Sequence, residues 1–91
     1  VQKEGEKDFC GSIKNLEKFT KFADVPVLVK EVGFGFPGKT AEILESVGVK
    51  AIDIAGAGGT SWTKVEKHRQ KDSLLADRFS EWGIPTAESL L

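Results

Sequence analysis

What this sequence lacks narrows it before any motif is read. Of its 91 residues only Cys10 is a cysteine, so no internal disulfide can form, and only His68 is a histidine, so no Cys or His cluster suggests a structural metal. A reducing compartment fits that usage best. Long apolar runs are missing as well. VPVLV and AIDIAGA fall far short of the roughly 18 residues needed to span a bilayer, and the opening VQKEGEKD has no signal-peptide core. A soluble, cytoplasmic protein without a membrane partner is expected. Nor is there an excess of charge of one sign: 13 Lys plus Arg face 14 Asp plus Glu, for a net charge of -1. Nothing electrostatic favours nucleic acid as a partner. Length is also short, because a chain of this size buries only about 60 to 65% of the surface its unfolded form exposes.

What is present is a parallel α/β pattern. Residues 1 to 8 carry charge without apolar period and read as an exposed loop. Ser12 then precedes Ile13, Leu16, Phe19, Phe22 and Ala23 at spacings of three or four, which predicts an amphipathic helix with a Ser N-cap. A strand is expected over Val25 to Val32, with Leu28 and Lys30 on one face and Val27, Val29 and Glu31 on the other. After the glycine-rich turn 33–38, Ala41, Leu44 and Val47, joined by Ile43, predict a helix with a buried stripe that Gly48 stops. Val49 to Ala55 reads as a second strand, with Ala51, Asp53 and Ala55 on one face and Ile52 and Ile54 on the other.

Gly56, Gly58 and Gly59 make the next turn nearly free of side chains, with Thr60 and Ser61 as hydroxyl donors at its end. A weak helix over Thr63 to Gln70 follows, then a better one carrying Leu74, Leu75, Arg78, Phe79 and Trp82, closed by Gly83. Ile84-Pro85-Thr86 reads as a very short strand entering a helix capped by Thr86. Two full strands and a stub cannot close a barrel or cover both faces of a sheet. The chain therefore reads as a piece of a larger parallel α/β protein. It opens without Met and stops after PTAESLL inside a helical pattern, so both ends are expected to be cut.

In parallel sheets, loops leaving the carboxyl ends of adjacent strands converge, and chemistry gathers there. That draws notice to Lys30, Asp53 and Thr60. Lys30 and Asp53 fall on corresponding faces of neighbouring strands, so Asp53 is expected to orient Lys30 as an ion-pair partner. Two motifs compete at the first exit. Gly33 to Thr40, GFGFPGKT, matches G-x-x-x-x-G-K-[ST] between a strand and a helix, the context of a phosphate-binding P-loop. Against it, two phenylalanines would have to fit around a polyphosphate, and the only acidic residue placed to orient magnesium, Asp53, follows Lys39 very closely.

The other reading rests on VPVLVKEVGFG, GVKAIDIAGAGGTSW and WGIPTAESLL, with VQKEGEKDF in front. These resemble the type 2, FMN-dependent isopentenyl-diphosphate isomerase family across essentially the whole chain, and the GKT match is then accidental. The resemblance implies an internal fragment of a single FMN-binding (β/α)8 TIM-barrel domain, about two to three consecutive βα units over residues 1 to 91. It implies isomerisation of isopentenyl diphosphate to dimethylallyl diphosphate in isoprenoid biosynthesis, with reduced FMN as acid and base. NADPH would reduce the flavin, Mg2+ would help bind the diphosphate, and the parent would be a homo-oligomer. The fragment alone is expected to be inactive.

Matched residue by residue, Lys30 in VKE and Thr60 in GGT fall on the family's FMN contacts. Ala55 falls where the family usually has a serine touching FMN, which removes a hydroxyl. Trp62 matches an aromatic position near the allylic substrate. Arg69, in VEKHR, follows the family's IE-x-x-R pattern, as a salt bridge or a ligand contact. Gln2 matches the later glutamine of the motif whose glutamine and glutamate approach substrate and magnesium, and that pair would lie before Val1. His68 reads as solvated, and Cys10 has no base at recognisable spacing. No metal ligand is assigned within the chain. The alternatives are a P-loop nucleotide binder and another FMN-dependent TIM-barrel oxidoreductase.

Overall fold

The computed structural model describes residues 8–69 and 74–91. Most of the loop expected over residues 1 to 8, Gln2 with it, lies outside them, as does Gln70. Gly11, at φ 73, turns the chain into α1, Ser12–Phe22. Ser12 is not the cap that its hydroxyl suggests: it lies in the first turn and donates its Oγ–H to the Phe9 carbonyl oxygen at 2.5 Å. After an extended stretch comes β1, Leu28–Lys30. Pro37, with φ -64, then leads into α2, Gly38–Ser46.

The end of α2 is set by Gly48, whose φ of 92 needs a residue without Cβ. Gly48 N–H donates to the Glu45 carbonyl (2.9 Å) and Val49 N–H to that of Leu44 (3.1 Å). This double closure satisfies carbonyls that the helix would otherwise leave open. It also delivers Val49 to the interior beside Leu44; the two are 6% and 4% exposed. The chain then enters β2, Ala51–Asp53, which pairs in parallel with β1 so that Leu28 faces Ala51, Val29 faces Ile52 and Lys30 faces Asp53.

Both strands are shorter than the expected spans, Val25 to Val32 and Val49 to Ala55. The ladder reaches outward by one bond at each end, from Lys50 N–H to the Val27 carbonyl (2.9 Å) and from Glu31 N–H to the Asp53 carbonyl (3.0 Å). Beyond it, Glu31 turns to the glycine loop and Ala55, at φ 28, leaves the extended region. The alternation of faces is as expected: Val29 and Ile52 are half-buried, while Leu28, Lys30, Ala51 and Asp53 are exposed.

Past β2 come α3, Trp62–Arg69, α4, Leu74–Arg78, and α5, Thr86–Leu90. The helix expected to run through Trp82 gives way after Arg78 to a turn, in which Phe79 and Trp82 meet edge to face at 5.3 Å. The expected strand at Ile84-Pro85-Thr86 is reduced to one parallel bridge, Ala57 with Pro85. Pro85, not Thr86, holds the cap position of α5. Ile84 ties both strand exits together, donating its N–H to the Phe34 carbonyl (2.7 Å) and accepting from Ala57 N–H (2.8 Å).

Among the described residues, the buried set is Leu44, Val49, Ala76 and the polar Thr63. Ile43, expected in the buried stripe of α2, is 41% exposed, and on α1 Phe19 and Phe22 are 56% and 87% exposed. The amphipathic pattern of α1 is real, but little among the described residues covers it. Two parallel strands leave uncovered the faces that parallel sheets bury on both sides.

One glycine is required by packing alone. A Cβ on Gly56 would stand 2.4 Å from Thr86 Cα, whereas one on Gly58 would meet nothing closer than the Gly56 carbonyl oxygen at 4.0 Å. Gly56→Ala is expected to destabilise the protein by about 1–3 kcal/mol through overpacking, and Gly58→Ala to change little. Thermal unfolding checks this, and equal midpoints for the two variants would contradict the close approach of Gly56 to Thr86.

Candidate functional site

The parallel register sets Lys30 directly beside Asp53. Lys30 Nζ lies 2.8 Å from Asp53 Oδ2, and the other oxygen, Oδ1, accepts the Ala55 N–H at 3.1 Å. The pairing expected from strand alternation is therefore present. Both side chains are about half exposed, at 59% and 47%, so the pair contributes little to stability. What it provides is orientation: the ammonium is held at the sheet's exposed face, at the carboxyl end of β1.

The Lys30 hydrogen bond is the leading cause that holds the Asp53 carboxyl below its ordinary pKa. Partial desolvation works in the opposite direction, while the Ala55 N–H and the Lys30 charge add to the lowering. Ala55 itself sits at φ 28, where a residue with Cβ is strained. Its N–H is directed at Asp53, so the backbone at this position serves the ion pair.

The other candidates stand further along the exit of β2. Thr60 is exposed in the turn, and among the described residues no hydrogen bond ties it to Lys30, Asp53 or Ala55. Ser61 caps α3: its Oγ accepts the Lys64 N–H at 3.3 Å. Trp62 begins the helix and is 59% exposed, yet its indole lies against the first exit, since a Cβ on Gly33 would come within 3.3 Å of Trp62 Cδ1. The structure thus joins Lys30 with Asp53 and Ala55, brings Trp62 back to the β1 turn, and leaves Thr60 exposed at the end of the second turn.

The remaining candidates are placed plainly. Arg69 Nη1 lies 3.2 Å from Glu66 Oε2 one helical turn earlier, an ion pair within α3. His68 and Cys10 are exposed. No three His, Cys, Asp or Glu side chains converge for a metal among the described residues, and no described helix is long and apolar enough to cross a membrane.

The P-loop pattern meets a specific obstacle. Three amides at the start of the loop are engaged by this chain's own carboxylate: Glu31 Oε2 accepts from Gly33 N–H (2.6 Å), Phe34 N–H (2.5 Å) and Gly35 N–H (3.2 Å). Phe36 N–H goes to Ser89 Oγ at 2.8 Å. An anion is already in the cradle. This role of Glu31 escaped sequence reasoning, although its signal was there, an acidic residue two positions before Gly-x-Gly at a strand end. Also unforeseen is a groove of about 820 Å³ between this turn, α4 and residues 79–84, lined by Phe34, Pro37, Leu75, Phe79, Trp82 and Ile84. It does not include Lys30, Asp53 or Thr60, so this groove and the polar strand-end site are different places.

With this geometry in view, comparison with known proteins is specific. The chain is similar to isopentenyl-diphosphate delta-isomerases. It is 52% identical to that of Synechococcus sp., an alignment covering 99% of this chain and 27% of the relative. Identity is 48% to the Vibrio campbellii protein (98% and 27%) and 48% to that of Methanothermobacter thermautotrophicus (98% and 26%). The chain thus spans about a quarter of the length of these curated relatives. No protein-family model matches it.

The ion pair has a definite pH signature. Because the folded pKa of Asp53 is lowered, its ionisation contributes stability that is complete above the ordinary carboxylate value of about 3.9 and is lost as pH falls through the lower folded value. Carboxyl chemical shifts of Asp53 followed against pH should therefore give a midpoint below the ordinary value, and Lys30→Ala should move it up. A midpoint that Lys30→Ala leaves in place would remove the lysine as the cause.

Proposed function

We propose that this chain is part of an FMN-dependent, type 2 isopentenyl-diphosphate delta-isomerase and contributes two to three βα units of its TIM barrel. The observation that carries the reading is identity of 48 to 52%, across nearly the whole chain, to proteins bearing the isopentenyl-diphosphate delta-isomerase name. On this reading β1 and β2, paired in parallel, and the segment at Pro85, which bridges in parallel to the exit of β2, are consecutive strands of the barrel. The flavin-dependent type is supported by the residues at those exits.

Those residues fit one edge of a flat, anionic cofactor. Lys30 offers an exposed cation held in place by Asp53. Gly58 and Gly59, where an added Cβ would meet nothing closer than 4.0 Å, let a ring approach the backbone, and Thr60 adds a hydroxyl. Lys30, Ala55 and Thr60 are the proposed contacts to FMN. When bound, the reduced flavin would supply the acid that protonates the terminal carbon of the carbon-carbon double bond and the base that takes a proton from the methylene next to its other carbon, so that the double bond moves by one position. Lys30 stabilises the negative charge of the reduced ring. Asp53, ionised through the working pH range, keeps the ammonium oriented. Trp62 presents a π face toward the allylic group, where positive charge develops. NADPH and Mg2+ belong to the same reading, and no residue of this chain is assigned to either.

A nucleotide-binding P-loop at Gly33 to Thr40 is not favoured, because Glu31 engages the amides of Gly33, Phe34 and Gly35. The full-length protein separates the two readings. FMN is expected to raise its unfolding temperature and show a flavin spectrum, and Mg-ATP is expected to do neither. Lys30→Ala should weaken FMN binding and turnover by about tenfold or more, the scale of a lost hydrogen bond to a charged group. A change within about twofold would sink the assignment of Lys30.

A further inference from the structure

The turn between β1 and α2 holds a charged group that the proposed reaction does not use. Glu31 follows Lys30 in the chain but points to the other side of the strand, and its carboxylate is partly buried among the amides of Gly33, Phe34 and Gly35. A carboxylate accepting several backbone N–H groups at once is a strong, directional anchor. The two glycines it grips have φ of 117 and 77, values that this arrangement requires and that side chains rarely adopt.

The gripped turn touches three other parts of the chain. At Gly33 it meets the edge of the Trp62 indole, 3.3 Å from where a Cβ would be. At Phe34 its carbonyl accepts the Ile84 N–H at 2.7 Å. At Gly35 it lies so close to Ile84 that a Cβ would stand 2.7 Å from the Ile84 carbonyl oxygen. Without the carboxylate charge, three amides in a partly buried turn are left with at most a weaker, neutral acceptor, and the two glycines leave that turn adaptable. The indole would lose the surface it lies on, while the α2 closure at Gly48, far along the chain, would be undisturbed.

We infer that Glu31 is a positioning residue: by holding the amides of Gly33, Phe34 and Gly35 it fixes the turn that seats Trp62, and it acts on the reaction through Trp62 without touching substrate. The inference rests on the proposed role of Trp62 at the allylic group. Its test uses the full-length protein with bound FMN and the variants Glu31→Gln, Trp62→Phe and the double variant.

Hydrogen exchange should accelerate by about tenfold at residues 33–35 in Glu31→Gln and stay unchanged in α2, as a local opening requires. Each single variant should lower kcat/KM, by about tenfold for Glu31→Gln, and the double variant should be no slower than the slower single one. A role confined to general stability would accelerate exchange in α2 as well and would make the two losses multiply. Unchanged exchange at 33–35, or multiplying losses, overturns the inference while leaving the function reading intact. If Trp62→Phe alone leaves turnover unchanged, Glu31 has nothing to act through and the inference falls together with the substrate role of Trp62. Lys30→Ala still reports separately on the flavin reading.

Discussion

One carboxylate organises both strand exits. Glu31 accepts three consecutive amides, and the turn it shapes presents the Phe34 carbonyl to Ile84 and the open side of Gly33 to Trp62. Ile84 in turn receives Ala57 from the second exit. The two glycine-rich turns are thus joined through a third segment, although only three residues of each strand form the ladder. Buried or half-buried amides need acceptors, and here a side chain supplies them where no neighbouring backbone does.

The same requirement explains why the strand-end site is polar while the interior is thin. Lys30 and Asp53 alternate out of the ladder onto a face that this chain leaves open, and their pairing keeps the cation directed. On the opposite side, Leu44 and Val49 are delivered to the interior by the Gly48 closure. Much else that is apolar, including Phe19, Phe22 and Leu28, stays exposed. Among the described residues only two parallel strands form, and parallel sheets are normally covered on both faces, so apolar helix and sheet surface is left open.

Much of the site was legible because it depends on period-two alternation and on glycine. Alternation put Lys30 and Asp53 on corresponding faces, and the register then brought them to 2.8 Å. The resemblance drew in Ala55, Thr60 and Trp62 through short motifs that survive without knowledge of contacts. Less legible were the ends of elements. Ser12 looks like a cap, but the left-handed Gly11 before it takes that position. Thr86 looks like one too, but Pro85 with its fixed φ precedes the helix. Such choices turn on single dihedral angles.

The order of the first two helices and the two strands, the alternating faces of those strands, the stop at Gly48 and the strand-end placement of Lys30 and Asp53 were determined by the sequence alone, since each follows from local spacing and backbone freedom. Which groups fill one another's hydrogen bonds was decided only in three dimensions. GFGFPGKT reads as an anion cradle whichever anion it holds, and nothing in its spacing says that Glu31 lies in it. Trp62 stands just past a glycine-rich turn, and nothing in its neighbours says that it rests on Gly33, 29 positions earlier. Contacts between residues distant in sequence depend on the path of the whole chain, and that path is a property of the fold.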